Sequence, residues 1–248
     1  AFDEVVSAFA AFAAEEGIGQ FDAVPLSALT GANVAAVSSA MPWYEGPALL
    51  GLLETVPTGL RAKRAEEPFR MAVQLALRPD EGFRGFAGTI ASGRIAVGDR
   101  IVVQPSGHAS TIARIVTMDG DLDRAGANQA VVLALTDEVD CSRGDVIASA
   151  SQPLPLATRM TASLVWLSEQ QFSPTRDYVL KSATRSIAVR VDLPDGAQDP
   201  ALNAMQAISL ETTSELPVEP YSAGSTFGAF ILIDKETQAT VAAGMVGT

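Results

Sequence analysis

Between Phe83 and Val103 the chain reads Phe-Arg-Gly-Phe-Ala-Gly-Thr-Ile-Ala-Ser-Gly-Arg-Ile-Ala-Val-Gly-Asp-Arg-Ile-Val-Val. Two β-rich runs flank a segment punctuated by Ser92-Gly93 and Gly98-Asp99, and no helix of ordinary length fits this punctuation. Glycine at 93 and 98 suits the positive φ that tight connections between strands require. Ile95 and Val97 are spaced to share a face, and Ile101 and Val103 continue a period of two. The geometry implied is a β-hairpin within a barrel.

The same punctuation recurs along most of the chain. Asp3 to Glu16 is the exception: Phe2, Val5, Val6, Phe9, Phe12 and Ala13 keep helical spacing until Gly17 stops it. Residues 21–26 then read as a short strand. Pro47 to Val56 reads as a second helix, with Leu49, Leu50, Leu52 and Leu53 supplying its apolar faces and Pro47 in its first turn. Polar residues with Pro57 and Gly59 read as a linker over 58–67. Short strands and turns from 68 to 150 imply one β-barrel. Residues 151–157, with Pro153 and Pro155, form a second linker, and 158–248 a second barrel. Its clear strands are Met160–Trp166, Ser186–Val191, Ala207–Leu210, Phe227–Asp234 and Thr240–Val246.

Charge narrows the partners. Net charge is −12, and each of the three segments is acidic. Binding to a phosphate backbone rests largely on Lys and Arg, so this balance argues against tRNA or DNA. No apolar run reaches the roughly 20 residues of a membrane span. The single Cys141 excludes an internal disulfide and fits a reducing cytoplasm. His108, the only histidine, falls in a turn beside Gly107 with no Ser–His–Asp arrangement in view. Asp119, Asp121 and Asp123 have the opening of a calcium loop but lack its glycine and closing glutamate. They and Asp137, Glu138 and Asp140 read as solvated barrel loops.

The string from Gly88 to Asp99, Gly-Thr-Ile-x-Ser-Gly-x-Ile-x-Val-Gly-Asp, resembles the second-domain barrel of translational GTPases of the elongation factor Tu kind. Its neighbours narrow the resemblance. Phe69-Arg70-Met71-x-Val73-Gln74 with Arg78-Pro79 precedes it. Pro105-Ser106-Gly107, Ile115 to Leu122, Gln129-Ala130-Val131 and Asp137-Glu138-Val139-Asp140-x-Ser142-Arg143-Gly144-Asp145 follow. Together these resemble the GTPase subunit of bacterial sulfate adenylyltransferase (ATP sulfurylase), found also in fusion with adenylylsulfate kinase. The resemblance runs from about Phe2 to Val246 and weakens between Ala188 and Leu202. Where the family leads us to expect an asparagine and a Thr-Gly pair, Ser225-Thr226-Phe227-Gly228 stands instead.

The resemblance implies a mainly β protein with an α/β remnant: 1–57 as the end of a P-loop GTPase domain, then two elongation factor Tu-like barrels. No Gly-x-x-x-x-Gly-Lys-Ser/Thr loop, switch Asp-x-x-Gly or Asn-Lys-x-Asp occurs here, so the chain is expected to start just past those motifs. Ser27-Ala28-Leu29 resembles the loop that offers a backbone N–H to guanine, where small residues permit close approach. Trp43 and Tyr44 read as residues that pack the GTPase remnant against the barrels rather than as a binding patch. The implied activity is GTP hydrolysis, with Mg2+, in the intact subunit, coupled to formation of adenylylsulfate and pyrophosphate from ATP and sulfate. The implied partner is the catalytic subunit, in a heterodimer. This chain alone is expected to bind no cofactor and to hold no catalytic residue or metal site. The alternatives from other classes are a tRNA-binding translation GTPase, against which the acidic barrels speak, and a non-enzymatic scaffold of two barrels.

Overall fold

The computed structural model describes residues 1–15, 19, 21–56, 64–80, 82–222 and 224–247. The chain divides into a small unit, Ala1–Thr58, and a large one, Gly59–Thr248.

The small unit opens with helix α1 (Phe2–Glu15) and closes with helix α2 (Leu49–Thr55). Asp3 and Glu4 lie in the first turn of α1, where the helix dipole favours negative charge. Helix α2 begins two residues later than Pro47 would allow, and its first free N–H groups are taken by loop carbonyls: Leu49 and Leu50 donate to the oxygens of Asn33 and Val34, both at 2.9 Å. The strand expected over 21–26 is not formed. The segment has no ladder neighbour among the described residues; only Ser27 and Ala32 form a bridge. An extended run is a strand only when another satisfies its backbone groups.

The large unit is built from two barrels. The first uses β1 (Arg70–Ala72), β2 (Leu75–Asp80), β3 (Phe83–Ser92), β4 (Arg94–Ala96), β5 (Arg100–Gln104), β6 (His108–Thr117), β7 (Gly120–Leu122), β8 (Arg124–Gly126), β9 (Ala130–Leu135) and β10 (Val146–Ser149). Hydrogen bonding runs β1-β10-β5-β6-β9-β3, and pairing of β3 with β1 closes a six-stranded ring. Strand β2 lies beside β3, β7 beside β6, and β4 pairs with β8 as a separate ribbon. Inward-facing Phe86, Ile90, Ile101, Val103, Ile112, Ile115, Leu133 and Ile147 fill the ring, each at most 1% exposed. Alternation delivers them: along β5 only Ile101 and Val103 among the aliphatic residues reach the core.

The Phe83–Val103 segment is therefore not a hairpin. Strands β3 and β5 never pair, because the short β4 intervenes and sends the chain across to β8. Ile95 is buried but Val97 is 47% exposed, since the turn at Gly98 breaks the alternation. Gly93 and Gly98 do adopt positive φ, +71° and +91°. Gly93 is also sterically required: a Cβ there would lie 2.5 Å from the Phe69 nitrogen and 2.6 Å from the Glu67 oxygen. His108 opens β6 and is exposed, next to Gly107 at φ +77°.

The second barrel is closed, in the order β11-β14-β13-β12-β15-β16, from β11 (Leu156–Trp166), β12 (Tyr178–Ser182), β13 (Arg185–Asp192), β14 (Met205–Pro217), β15 (Ala229–Asp234) and β16 (Thr240–Val246). Its core holds Trp166, Tyr178, Leu180, Leu164, Leu210 and Leu232. Phe172 stacks on Tyr178 and both meet the Trp166 ring edge-on, the offset and T-shaped arrangements that aromatic quadrupoles favour. Strand β12 was not expected from sequence, and β14 runs far past Leu210. Of the segments read as linkers, 57–63 lie outside the described residues and 64–66 form one helical turn. In the other, Leu156 already belongs to β11 and Leu154 is buried. Leu154 is held there by the Gln104 side chain, which donates from Nε2 to its oxygen at 2.8 Å and accepts its N–H at 2.9 Å.

Candidate functional site

Two places carry groups that could serve a function, one in each unit. In the small unit, residues 27–34 form a tight loop. The Ser27 N–H donates to the Ala32 oxygen at 3.0 Å, the Gly31 N–H to the Ser27 oxygen at 2.9 Å, and the Thr30 N–H to Ser27 Oγ at 3.3 Å. Gly31 at φ +73° lets the chain reverse. Asn33, fully buried at φ +56°, anchors the loop. Its Nδ2 donates to the Pro25 oxygen at 2.9 Å and its Oδ1 accepts the Ser38 N–H at 2.7 Å. Asparagine tolerates this backbone region and satisfies its own amide locally, which is why it stands here.

Ser27, Ala28 and Leu29 thus lie together on the open side of an anchored loop. Ala28 is exposed and Leu29 is 96% exposed, and neither N–H carries a hydrogen bond among the described residues. Free backbone N–H groups flanked by a small side chain can donate to a carbonyl oxygen that approaches closely. Asn33, which sets their position, was not singled out from sequence; an asparagine two residues after Gly31 was its only signal. Trp43 and Tyr44 meet Phe2 of α1 at 5.3 and 6.4 Å between ring centroids, so these aromatics pack on their own unit.

The second place is the seam between the barrels. Phe227, from the loop before β15, inserts with Leu154 against Ala72, Val146 and Ala148 on β1 and β10. Arg70 pairs with Glu219, whose Oε1 accepts the Ser225 hydroxyl at 2.7 Å, and Ser225 Oγ in turn accepts the Gly228 N–H at 2.9 Å. Arg185 reaches Asp145 at 3.3 Å. The Arg64 guanidinium donates to the Ala91 oxygen at 3.2 Å and lies over Gly224, where a Cβ would come within 2.7 Å of it. Both Arg–carboxylate pairs are largely shielded from water, so they fix the register of one barrel on the other as well as contributing attraction. The departure from the family string at Ser225–Gly228 falls in this seam, with Phe227 as its apolar plug.

Among the described residues no group of three or more His, Cys, Asp or Glu side chains converges. Asp121 is held below its usual carboxylate range by Arg114, which grips it at 2.7 and 3.1 Å, and Asp137 by the hydroxyls of Ser110 and Thr136. Burial, aided by Asp145, pushes the Cys141 thiol up to about 12, so it is a packing residue, not a nucleophile.

These barrels place the chain among proteins built like the elongation-factor GTPases. Residues 87–148 match the family described as elongation factor Tu domain 2, and residues 159–247 that described as GTP-eEF1A C-terminal domain-like. The crystal structure of sup35 complexed with GMPPNP shares the fold, with a TM-score of 0.66 over 90% of this chain and 57% of that one at 24% identity. The GDP complex of sup35 gives 0.66 over 90% and 58% at 23% identity.

A more specific similarity covers the whole chain. It is 41% identical over 258 aligned residues to sulfate adenylyltransferase subunit 1 of Methylorubrum populi, spanning 100% of this chain and 54% of that protein. Against the subunit 1 of Vibrio vulnificus it is 41% identical over 257 residues, 99% of this chain and again 54% of the relative. The chain spans about half the length of the curated relatives it matches.

Proposed function

We propose that the chain is part of the GTP-hydrolysing subunit of sulfate adenylyltransferase. The observation that carries this is the 41% identity over an alignment that spans the whole chain. In this reading residues 1–57 complete a guanine-nucleotide domain, 58–67 link it to the barrel at 68–150, the connection that ends at Pro155 leads into the second barrel, which opens with β11, and the Ser27–Leu29 loop offers its free N–H groups to the guanine oxygen. The loop suits the base only. No Gly-x-x-x-x-Gly-Lys-Ser/Thr loop occurs in the sequence, so in this reading the GTP phosphates and their Mg2+ are held by the part of the subunit that the relatives have and this chain does not span. GTP supplies the γ-phosphate whose presence or loss distinguishes two states. A ligand shifts an equilibrium only through differential binding to its states. The barrels, tied by Phe227 and two shielded ion pairs, would carry that difference as one body to a catalytic subunit that makes adenylylsulfate and pyrophosphate from ATP and sulfate in the cytoplasm.

The small unit supports the same reading. Only Ala13, Asn33 and Ala48 are buried among its described residues, whereas Val5, Phe12, Leu29, Trp43 and Leu53 are at least half exposed. Such a surface calls for a further apolar layer. The test is co-expression of the subunit at the relatives' full length with an ATP sulfurylase catalytic subunit, followed by size-exclusion chromatography and an adenylylsulfate assay. Co-elution with GTP-dependent yield is the expected result. Failure to co-elute would overturn the reading, and co-elution without a GTP effect would leave a scaffold. The 248-residue chain alone should not bind a fluorescent GTP analogue at micromolar concentration.

A further inference from the structure

The first barrel carries a basic concavity that the functional reading does not use. It is a cavity of about 610 Å3 lined by Phe69, Arg94, Ile95, Asp99, Arg100 and the segment Ser149–Ser151. Both arginines are placed by alternation. Arg94 faces outward because Ile95 is turned into the core, and Arg100 because Ile101 is. Neither guanidinium makes a hydrogen bond or ion pair among the described residues. The contrast with other exposed arginines is sharp: Arg114 is gripped by Asp121, Arg159 by Glu211, and Arg190 by Asp192 and Glu211. Asp99, the one carboxylate in the cavity wall, is turned to the backbone, its Oδ2 accepting the Ala96 N–H at 2.8 Å. On the β4–β8 ribbon Arg124 stands two residues from Gly126, the cross-strand partner of Arg94, and it too is without a carboxylate. In a chain of net charge −12, the cavity wall carries two arginines against the single carboxylate of Asp99 among the described residues.

We infer that this cavity binds a tetrahedral oxyanion, of the phosphate or sulfate kind. Guanidinium groups present paired donors that match two oxygens of such an anion, and two of them on one rim can share its charge. The hydroxyls of Ser149 and Ser151 also line the cavity and hydrogen-bond each other at 3.0 Å, which leaves one hydroxyl hydrogen of the pair to donate. The volume exceeds what an inorganic anion fills and falls in the range of small-molecule sites, which favours an ester carried by an organic body. The inference stands apart from the reading above, since it needs neither GTP nor the partner subunit.

The experiment uses the 248-residue chain at low ionic strength, where such contacts are least screened. Sodium phosphate, sodium sulfate and ATP are titrated separately while the arginine Nε–H and backbone amide NMR signals are followed. Signals of Arg94, Arg100 and Ser149–Ser151 should move, and those of Arg114 should not. Equal responses to all three probes identify a site for the free anion; a tighter response to ATP identifies one for its esters. The double variant Arg94→Gln/Arg100→Gln should weaken binding by about tenfold or more, with an unchanged melting temperature because both side chains are exposed. Arg114→Gln should leave binding intact. Unaltered binding by the double variant, shifts centred elsewhere, or no shift at about 10 mM of any probe would overturn the inference.

Discussion

The small unit and the barrels use apolar residues in opposite ways. In the barrels each inward side chain has an opposite wall, so Met71, Ile90, Leu133, Leu164 and Leu180 are sealed completely. In the small unit the residues that give α1 and α2 their helical apolar faces, Val5, Phe9, Phe12, Leu50 and Leu53, stay 43–68% exposed. Both patterns draw on the same apolar residues, at helical spacing in the small unit and at a period of two in the barrels. A barrel closes on itself and so completes its own core, whereas two helices and a loop bury a face only against another layer. Amphipathic periodicity in the small unit therefore describes a surface made for something else, and in the barrels it describes the fold itself.

The comparison predicts opposite responses to truncation, and these are the largest effects. Leu180→Ala should destabilise the barrels by about 2–5 kcal/mol through lost transfer energy and a residual cavity. Leu53→Ala in the 248-residue chain should cost about 0.5 kcal/mol or less. Thermal melts of the two variants check this, and a large loss for Leu53→Ala would mean that the small unit has a core of its own.

Next comes the sealed charge of the second barrel. Asp234 is 0% exposed, and its carboxylate accepts the N–H groups of Thr237 at 2.9 Å and Glu236 at 2.8 Å and the Arg176 guanidinium at 2.8 Å. The Thr237 N–H first, then Arg176, hold its pKa below the ordinary carboxylate value in spite of burial. A depressed folded pKa contributes stability that is fully present above the unfolded value near 3.9 and is lost as pH falls through the folded one. Asp234→Asn should therefore lower the melting temperature at pH 7 and lose its deficit below about pH 4. A deficit that persists at low pH would assign the effect to packing instead.

Backbone changes rank last and separate two glycines that look alike in sequence. Gly93→Ala, with three backbone atoms in its way at positive φ, should cost on the order of 1–3 kcal/mol. Gly98→Ala has open space around it and only the φ penalty, about 1 kcal/mol. Equal melting temperatures for the two would show that the approach of Phe69 and Glu67 is not a constraint.

What sequence showed and what it hid follow from the same physics. Period-two runs at Met160–Trp166 and Thr240–Val246 stand out because apolar residues alternate inside them. Tyr178–Ser182 was hidden by its brevity beside Pro174 and Asp177. The second half of β14, Glu211–Pro217, was hidden by a polar run in which Thr213, Ser214 and Glu215 are exposed while Thr212 is buried, its hydroxyl donating to backbone oxygens, and the backbone pairs with β11 and β13. Glycine positions revealed turn conformations but not which strands the turns join, so the true partners of β3 and β5 were invisible. At the candidate loop, Ser27–Leu29 was legible only through resemblance. The seam was illegible, because Arg70 and Glu219 are 149 residues apart and nothing local marks either.

On the proposed reading, the barrels stand alone while the small unit completes a nucleotide domain. Hydrogen exchange followed by mass spectrometry tests it most directly, on the 248-residue chain and on the subunit at the relatives' full length with GDP. Amides of α1 and α2 should exchange at least about a thousandfold faster than those of β11 and β14 in the short chain, and become protected in the long one, since local stability tracks buried contacts. Equal protection of helices and barrels in the 248-residue chain, or helices that stay unprotected at full length, would contradict it.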